Sequence, residues 1–82
     1  MHDVDPTFLS DLEIFASRFS ITDRWAIKFL PAAVQRMAWS VNMGRSQFLA
    51  EATFRNHDLG EYIVQVVTDA ASLAKRREEL CD

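Results

Sequence analysis

The sequence of 82 residues lacks most of the devices by which very small domains gain extra stability. Cys81 is its only cysteine, so no disulfide can form within the chain. The three residues with metal-ligating side chains of the zinc type, His2, His57 and Cys81, are too far apart for zinc-ligand spacing. The sequence therefore predicts a single domain without a metal or other cofactor. Its stability must come from helix packing or from association with another chain.

The sequence also lacks the features of disordered, exported and membrane-spanning chains. With two glycines, two prolines and 49% hydrophobic residues, its composition is that of a folded protein. No apolar run approaches the roughly 18 residues of a membrane helix, and the N-terminal MHDVDP is acidic, unlike a secretory signal. A lone free cysteine suits a reducing compartment. We therefore expect a cytoplasmic protein with no membrane segment. Its net charge of −3 gives no general attraction to nucleic acid.

Apolar residues recur at spacings of three and four, which predicts an all-α fold. The stripe of the first helix is Phe8, Leu12, Phe15 and Phe19, and that of the last helix is Leu59, Ile63, Val66, Ala70 and Leu73. Four helices are expected, at about residues 6–19, 23–43, 47–56 and 59–80, covering well over half of the chain. Asp5 and Pro6 are typical of a helix start, and Asp58 with Glu61 has capping-box spacing at the start of the last helix. Gly44 is the predicted C-cap of the second helix.

The second helix carries two apolar stripes on adjoining faces, which predicts a central and largely buried helix. The two stripes are Ile27, Leu30, Val34, Met37 and Val41, and Trp25, Phe29, Ala32, Trp39 and Met43. Pro31 lies inside this helix. It removes the N–H that would bond to the carbonyl of Ile27, so a kink or a break is expected there.

An alternative interpretation makes residues 24–29 a strand. RWAIKF alternates polar and apolar residues, Pro31 can begin a helix, and GRSQFLAEA can begin a second one. Over residues 24–56 this pattern resembles the ribbon-helix-helix family of dimeric DNA-binding regulators. The resemblance implies that Arg24, Lys28 and Arg45 contact nucleic acid. The acidic total charge and the preceding helix depart from that family. A helix-turn-helix at residues 48–67 is disfavoured, because Phe54 stands where the turn usually needs a small residue.

No pattern of catalytic residues is present. His57 adjoins Asp58, but no nucleophile or oxyanion site accompanies them, and Glu78 and Glu79 diverge on a helix surface. We therefore expect a non-enzymatic protein that acts by binding another protein, such as an adaptor or regulatory module. The three other helices can cover one face of the second helix well. Unless the first helix folds over it, which would give a monomer, the other stripe stays exposed. A homodimer is therefore expected, with its interface at Trp25, Phe29, Trp39 and Met43.

Overall fold

The computed structural model describes residues 6–81, which are 87% helical and contain no strand. The elements are α1 (Pro6–Arg18), α2 (Arg24–Ser40), α3 (Arg45–Ala50), a π-helical turn (Glu51–Arg55) and α4 (His57–Cys81). With α3 and the π-helical turn counted as one helix, the prediction of an all-α fold with four helices is confirmed. Asp5, the predicted cap of α1, lies outside the described residues, as does His2.

Both α1 and α2 end in the same hydrogen-bonded motif. After α1, Ser20 adopts a φ of 57° and the N–H of Ile21 donates to the carbonyl of Ala16 at 2.9 Å. After α2, Asn42 adopts a φ of 57° and the N–H of Met43 donates to the carbonyl of Ala38 at 2.9 Å. This is the Schellman motif. Asn42 therefore takes the role predicted for Gly44, and α2 ends at Ser40 instead of residue 43.

A π-helical turn and a single extended residue separate α3 from α4. The N–H of Asn56 donates to the carbonyl of Glu51 at 2.9 Å, the i to i−5 bond of a π-helix. The side chain of Asn56 then accepts from the N–H of Leu59 at 3.1 Å. Asn56, and not Asp58, is therefore the residue that caps α4. The sequence misplaced this cap because Asn and Asp are both strong N-cap residues and stand two positions apart.

The core fills the space between all four helices. Its large, fully buried side chains are Phe8, Phe15, Leu30, Leu49, Ile63, Val34 and Val67. On α1 the buried residues match the predicted stripe. On α2 the line of burial is Ala26, Leu30, Val34 and Ala38, so Ile27 and Val41 of the predicted stripe are exposed. On α4 the predicted Ile63 is buried, whereas Val67 and Ala71 are buried in place of their predicted neighbours Val66 and Ala70.

Residues 24–29, the predicted strand of the alternative interpretation, form the beginning of α2. Asp23 caps this helix, its side chain accepting from the N–H groups of Trp25 at 2.8 Å and Ala26 at 3.3 Å. The helix continues through Pro31 to Ser40. The ribbon-helix-helix interpretation needs a strand at residues 24–29, and the structure has a capped helix there, so the predicted strand is wrong. A kink at Pro31 stays a prediction.

Candidate functional site

An apolar groove lies between α2 and α4, which pack antiparallel. Asp23, before the first turn of α2, pairs with Lys75 near the end of α4, whereas Met37 and Tyr62 line one groove near the opposite ends. This groove has a volume of about 350 Å³. We define the α2–α4 face as the surface on both sides of the groove; its residues are Trp25, Phe29, Ala32, Arg36 and Trp39 of α2 and Tyr62, Val66, Ala70 and Leu73 of α4.

Large side chains on this face remain in contact with water. Trp39 is 72% exposed, Tyr62 is 59% exposed and Leu73 is 52% exposed. Trp25 and Phe29 are partly buried and stack with ring centroids 6.3 Å apart. At 3.6 residues per turn, Trp25, Phe29 and Trp39 fall within about 80° of arc around α2. They therefore belong to one side of the helix.

The first helix does not cover this side of α2. It packs along the other flank, where Leu9, Leu12 and Ala16 of α1 and Ile27, Leu30 and Pro31 of α2 line a second groove of about 410 Å³. Pairing of α2 with α4 is the most extensive contact between elements, whereas α1 packs mainly on α3 and touches α2 lightly. The face that carries Trp39 is therefore left without a partner among the described residues.

Of the four residues predicted for an interface, three lie on the α2–α4 face and Met43 does not. Met43 follows the end of α2, where the Schellman motif turns the chain, and it packs partly buried against the core. The prediction extended the helical stripe past Ser40, where the helix has already ended. From the sequence, Leu73 was assigned to the packing stripe of the last helix and Tyr62 to no apolar stripe, because periodicity alone does not show which face of α4 is buried; both side chains are exposed.

The three basic residues of the alternative interpretation are not brought together. Arg24 and Lys28 occupy the first two turns of α2, whereas Arg45 begins α3 after the opposite end of α2. The Lys28 ammonium lies 5.2 Å from the centroid of the Trp25 ring, and the Arg45 guanidinium lies 4.3 Å from that of Phe8. Both cations therefore rest on aromatic rings of their own chain.

The contacts of His57 are with an aromatic ring and a carboxylate group. Its ring stacks on Phe19 with centroids 5.3 Å apart, and its Nε2 lies 3.5 Å from a carboxylate oxygen of Glu61, one turn along α4. Within the described part of the chain, no three His, Cys, Asp or Glu residues are grouped so that they could hold a metal ion.

The ion pair of Asp23 with Lys75 links the residue before α2 to the last third of α4. The hydrogen bond that the Lys75 ammonium donates lowers the pKa of the Asp23 carboxyl below its ordinary value of 3.8, and the N–H groups of Trp25 and Ala26 act in the same direction. The pair lies at the surface, with each side chain more than a third exposed. It therefore orients the helices more than it stabilises them.

No helix within residues 6–81 combines the length and the apolar character needed to cross a membrane. Comparison with protein-family models, curated proteins and solved structures finds no match for this chain.

Proposed function

We propose that this protein acts without catalysis, as a small interaction module that binds another protein chain through the α2–α4 face. The observation that carries the proposal is the exposure of Trp39 at 72% on a face that also exposes Tyr62 and Leu73. Aromatic side chains of this kind are the usual anchors of protein interfaces, because they bury a large area at a small cost in conformational entropy.

The composition of the face supports a protein partner over a small ligand. Arg36 is the single charged residue among those that line its groove, and the others are apolar or tyrosine. The apolar centre with one arginine matches the make-up of interface cores, which are depleted in charge but enriched in aromatic residues and arginine. Three alanines, Ala32, Ala33 and Ala70, line the groove and leave room for a helix to approach closely.

Site-specific photo-cross-linking in cells tests this function. Tyr62 is replaced by benzoylphenylalanine, which has a similar shape and captures whatever lies against it on irradiation. We expect a discrete cross-linked product, because Tyr62 is exposed and lines the groove of the proposed contact.

Phe54 provides the matched control. It is an aromatic residue of similar exposure, 65%, but it lies on the π-helical turn beside Ile14 of α1. Benzoylphenylalanine at position 54 should give no discrete product. A product at position 54 with none at position 62 would show that the protein binds through the surface around Phe54, and would contradict binding through the α2–α4 face.

A further inference from the structure

The outer surface of α4 carries a second regularity beyond its exposed apolar residues. Every seventh residue is aliphatic, at Leu59, Val66, Leu73 and Leu80. The intervening positions three residues later are Tyr62, Asp69 and Arg76. Together they form the alternating spacing of a coiled-coil seam. We call these seven residues the α4 seam.

This seam is not the one that α4 uses within its own chain. The buried residues of α4 are Ile63, Val67 and Ala71, whereas Tyr62, Asp69, Leu73, Arg76 and Leu80 are all exposed and Leu59 and Val66 are partly buried. The seam also continues past the bundle, because α2 begins beside Lys75 and α4 continues for six more residues to Cys81. The last turn of α4 therefore displays Leu80, which is 80% exposed, with no other residue of the described range 6–81 covering it.

We propose that a second copy of this chain occupies the α2–α4 face, with the two α4 helices packed antiparallel along their seams. The inference rests on the proposed function and names the partner for it. In this arrangement Leu80 of each copy packs on Tyr62 of the other, and Leu73 packs beside Asp69.

The charges of the seam select the antiparallel direction. In a parallel pair the like positions meet, so Asp69 would face Asp69 and Arg76 would face Arg76 of the second copy. In the antiparallel pair Arg76 lies level with Val66 of the other copy, one turn of helix from its Asp69. Two Asp69–Arg76 ion pairs therefore form across the twofold axis, one on each side.

Neither charge is committed to another ion pair within the described residues. Asp69 accepts a hydrogen bond from the amide of Gln65 at 2.9 Å, which leaves its second carboxylate oxygen available.

Charge reversal tests the register of this dimer by sedimentation equilibrium of the full chain. Asp69→Arg places two arginines together on each side of the twofold axis, and Arg76→Asp places two aspartates together at the same points. Each variant should weaken dimerisation by at least about tenfold at low salt. The double variant D69R/R76D restores opposite charges and should return the dissociation constant to within about threefold of the wild type.

Glu78→Arg is the matched control, since it reverses a charge on the same exposed end of α4 but on the side away from the seam. It should leave dimerisation unchanged, and circular dichroism should show the same helix content in all four variants. A dimer that tolerates both single reversals, or that the double variant fails to restore, overturns the register but leaves the proposed function standing. A monomeric wild type overturns the second copy as the partner, and a cross-link from position 62 to a different protein would then still support the proposed function. A monomer with no cross-link at position 62 contradicts both.

Discussion

Gly60 lies where α4 crosses the π-helical turn, and it leaves no room for a side chain. A methyl group at this position would lie 2.1 Å from the Phe19 ring and 2.8 Å from the carbonyl oxygen of Ala52. The ring can move, but the carbonyl belongs to the backbone. Gly60→Ala should therefore destabilise the fold by about 1–3 kcal/mol in urea denaturation, despite the better helix propensity of alanine.

Gly44 supplies the control for this substitution. A methyl group there meets nothing within 4 Å. Gly44→Ala should change the free energy of unfolding by less than about 0.5 kcal/mol, because a slightly poorer N-cap offsets a less flexible unfolded chain. Equal destabilisation by the two substitutions would contradict the close approach at Gly60.

Ser20 occupies a left-handed backbone conformation that glycine adopts at lower cost. Its φ is 57° at the end of α1, and serine lacks the local compensation that asparagine has in this region. Ser20→Gly should raise the free energy of unfolding by roughly 0.5–1 kcal/mol. Asn42→Gly, at the same φ after α2, should give a smaller gain. A loss of stability on Ser20→Gly would show that the serine side chain makes a stabilising contact that outweighs the cost of its backbone conformation.

Among the helices, α2 contains a residue that weakens it. Pro31 deprives the carbonyl of Ile27 of its intrahelical partner, at a cost of about 3 kcal/mol in a helix interior. Pro31→Ala should therefore stabilise the fold by about 1–3 kcal/mol, measured as a higher Tm. Pro6 is the control, because it begins α1 and breaks no intrahelical bond there, so Pro6→Ala should give no gain. No gain from Pro31→Ala would mean that α2 needs the proline for its packing.

The junction of α2 with α4 should respond to pH through Asp23. Because the pKa of folded Asp23 is lowered, the pair with Lys75 stabilises the fold fully above the ordinary value of 3.8. This stabilisation is lost as the pH falls through the lowered pKa. Asp23→Asn keeps an oxygen for the helix cap but removes the charge. The wild type should therefore be more stable than Asp23→Asn at neutral pH, and the difference should vanish in strong acid and shrink in 1 M salt. A difference that persists in strong acid would rule out the ion pair as its source.

The helices themselves could be predicted from the sequence, but not which of their faces would be buried. Phe8, Leu12 and Phe15 form the single apolar stripe of α1, so its buried face was correctly identified. In contrast, α2 and α4 each have two apolar stripes, and the choice between them depends on where small residues allow close packing. Ala26, Ala38 and Ala71 are buried there, and the larger Trp39 and Leu73 are left exposed. Tertiary packing decides which face is buried, and the periodicity of apolar residues does not carry that information.

The ends of the helices show the same limit at the level of single residues. Asn42 closes α2 and Asn56 opens α4, although Gly44 and Asp58 were equally good candidates from local sequence. Because the end of α2 was placed three residues too late, Met43 was assigned to the stripe of Trp39. The sequence placed Trp25, Phe29 and Trp39 together on one side of α2, and it named no residue of α4 for the interface; that this surface is an interface stays a prediction.

The whole molecule has more apolar surface than its own helices cover. Four helices enclose one core, and the α2–α4 face remains open beside it. Withdrawing a large apolar side chain from water contributes roughly 1.5–3 kcal/mol, so burying a few such residues on each copy would add stability that very small domains need. We propose that association with a second copy covers this face.

The mass of the wild-type protein in solution tests this claim most directly. Sedimentation equilibrium between about 1 µM and 100 µM, at low salt, separates the two states without a variant or a label. If a second copy covers the face, we expect a mass that approaches twice 9.4 kDa as the concentration rises. A mass that stays at 9.4 kDa throughout the range would contradict it.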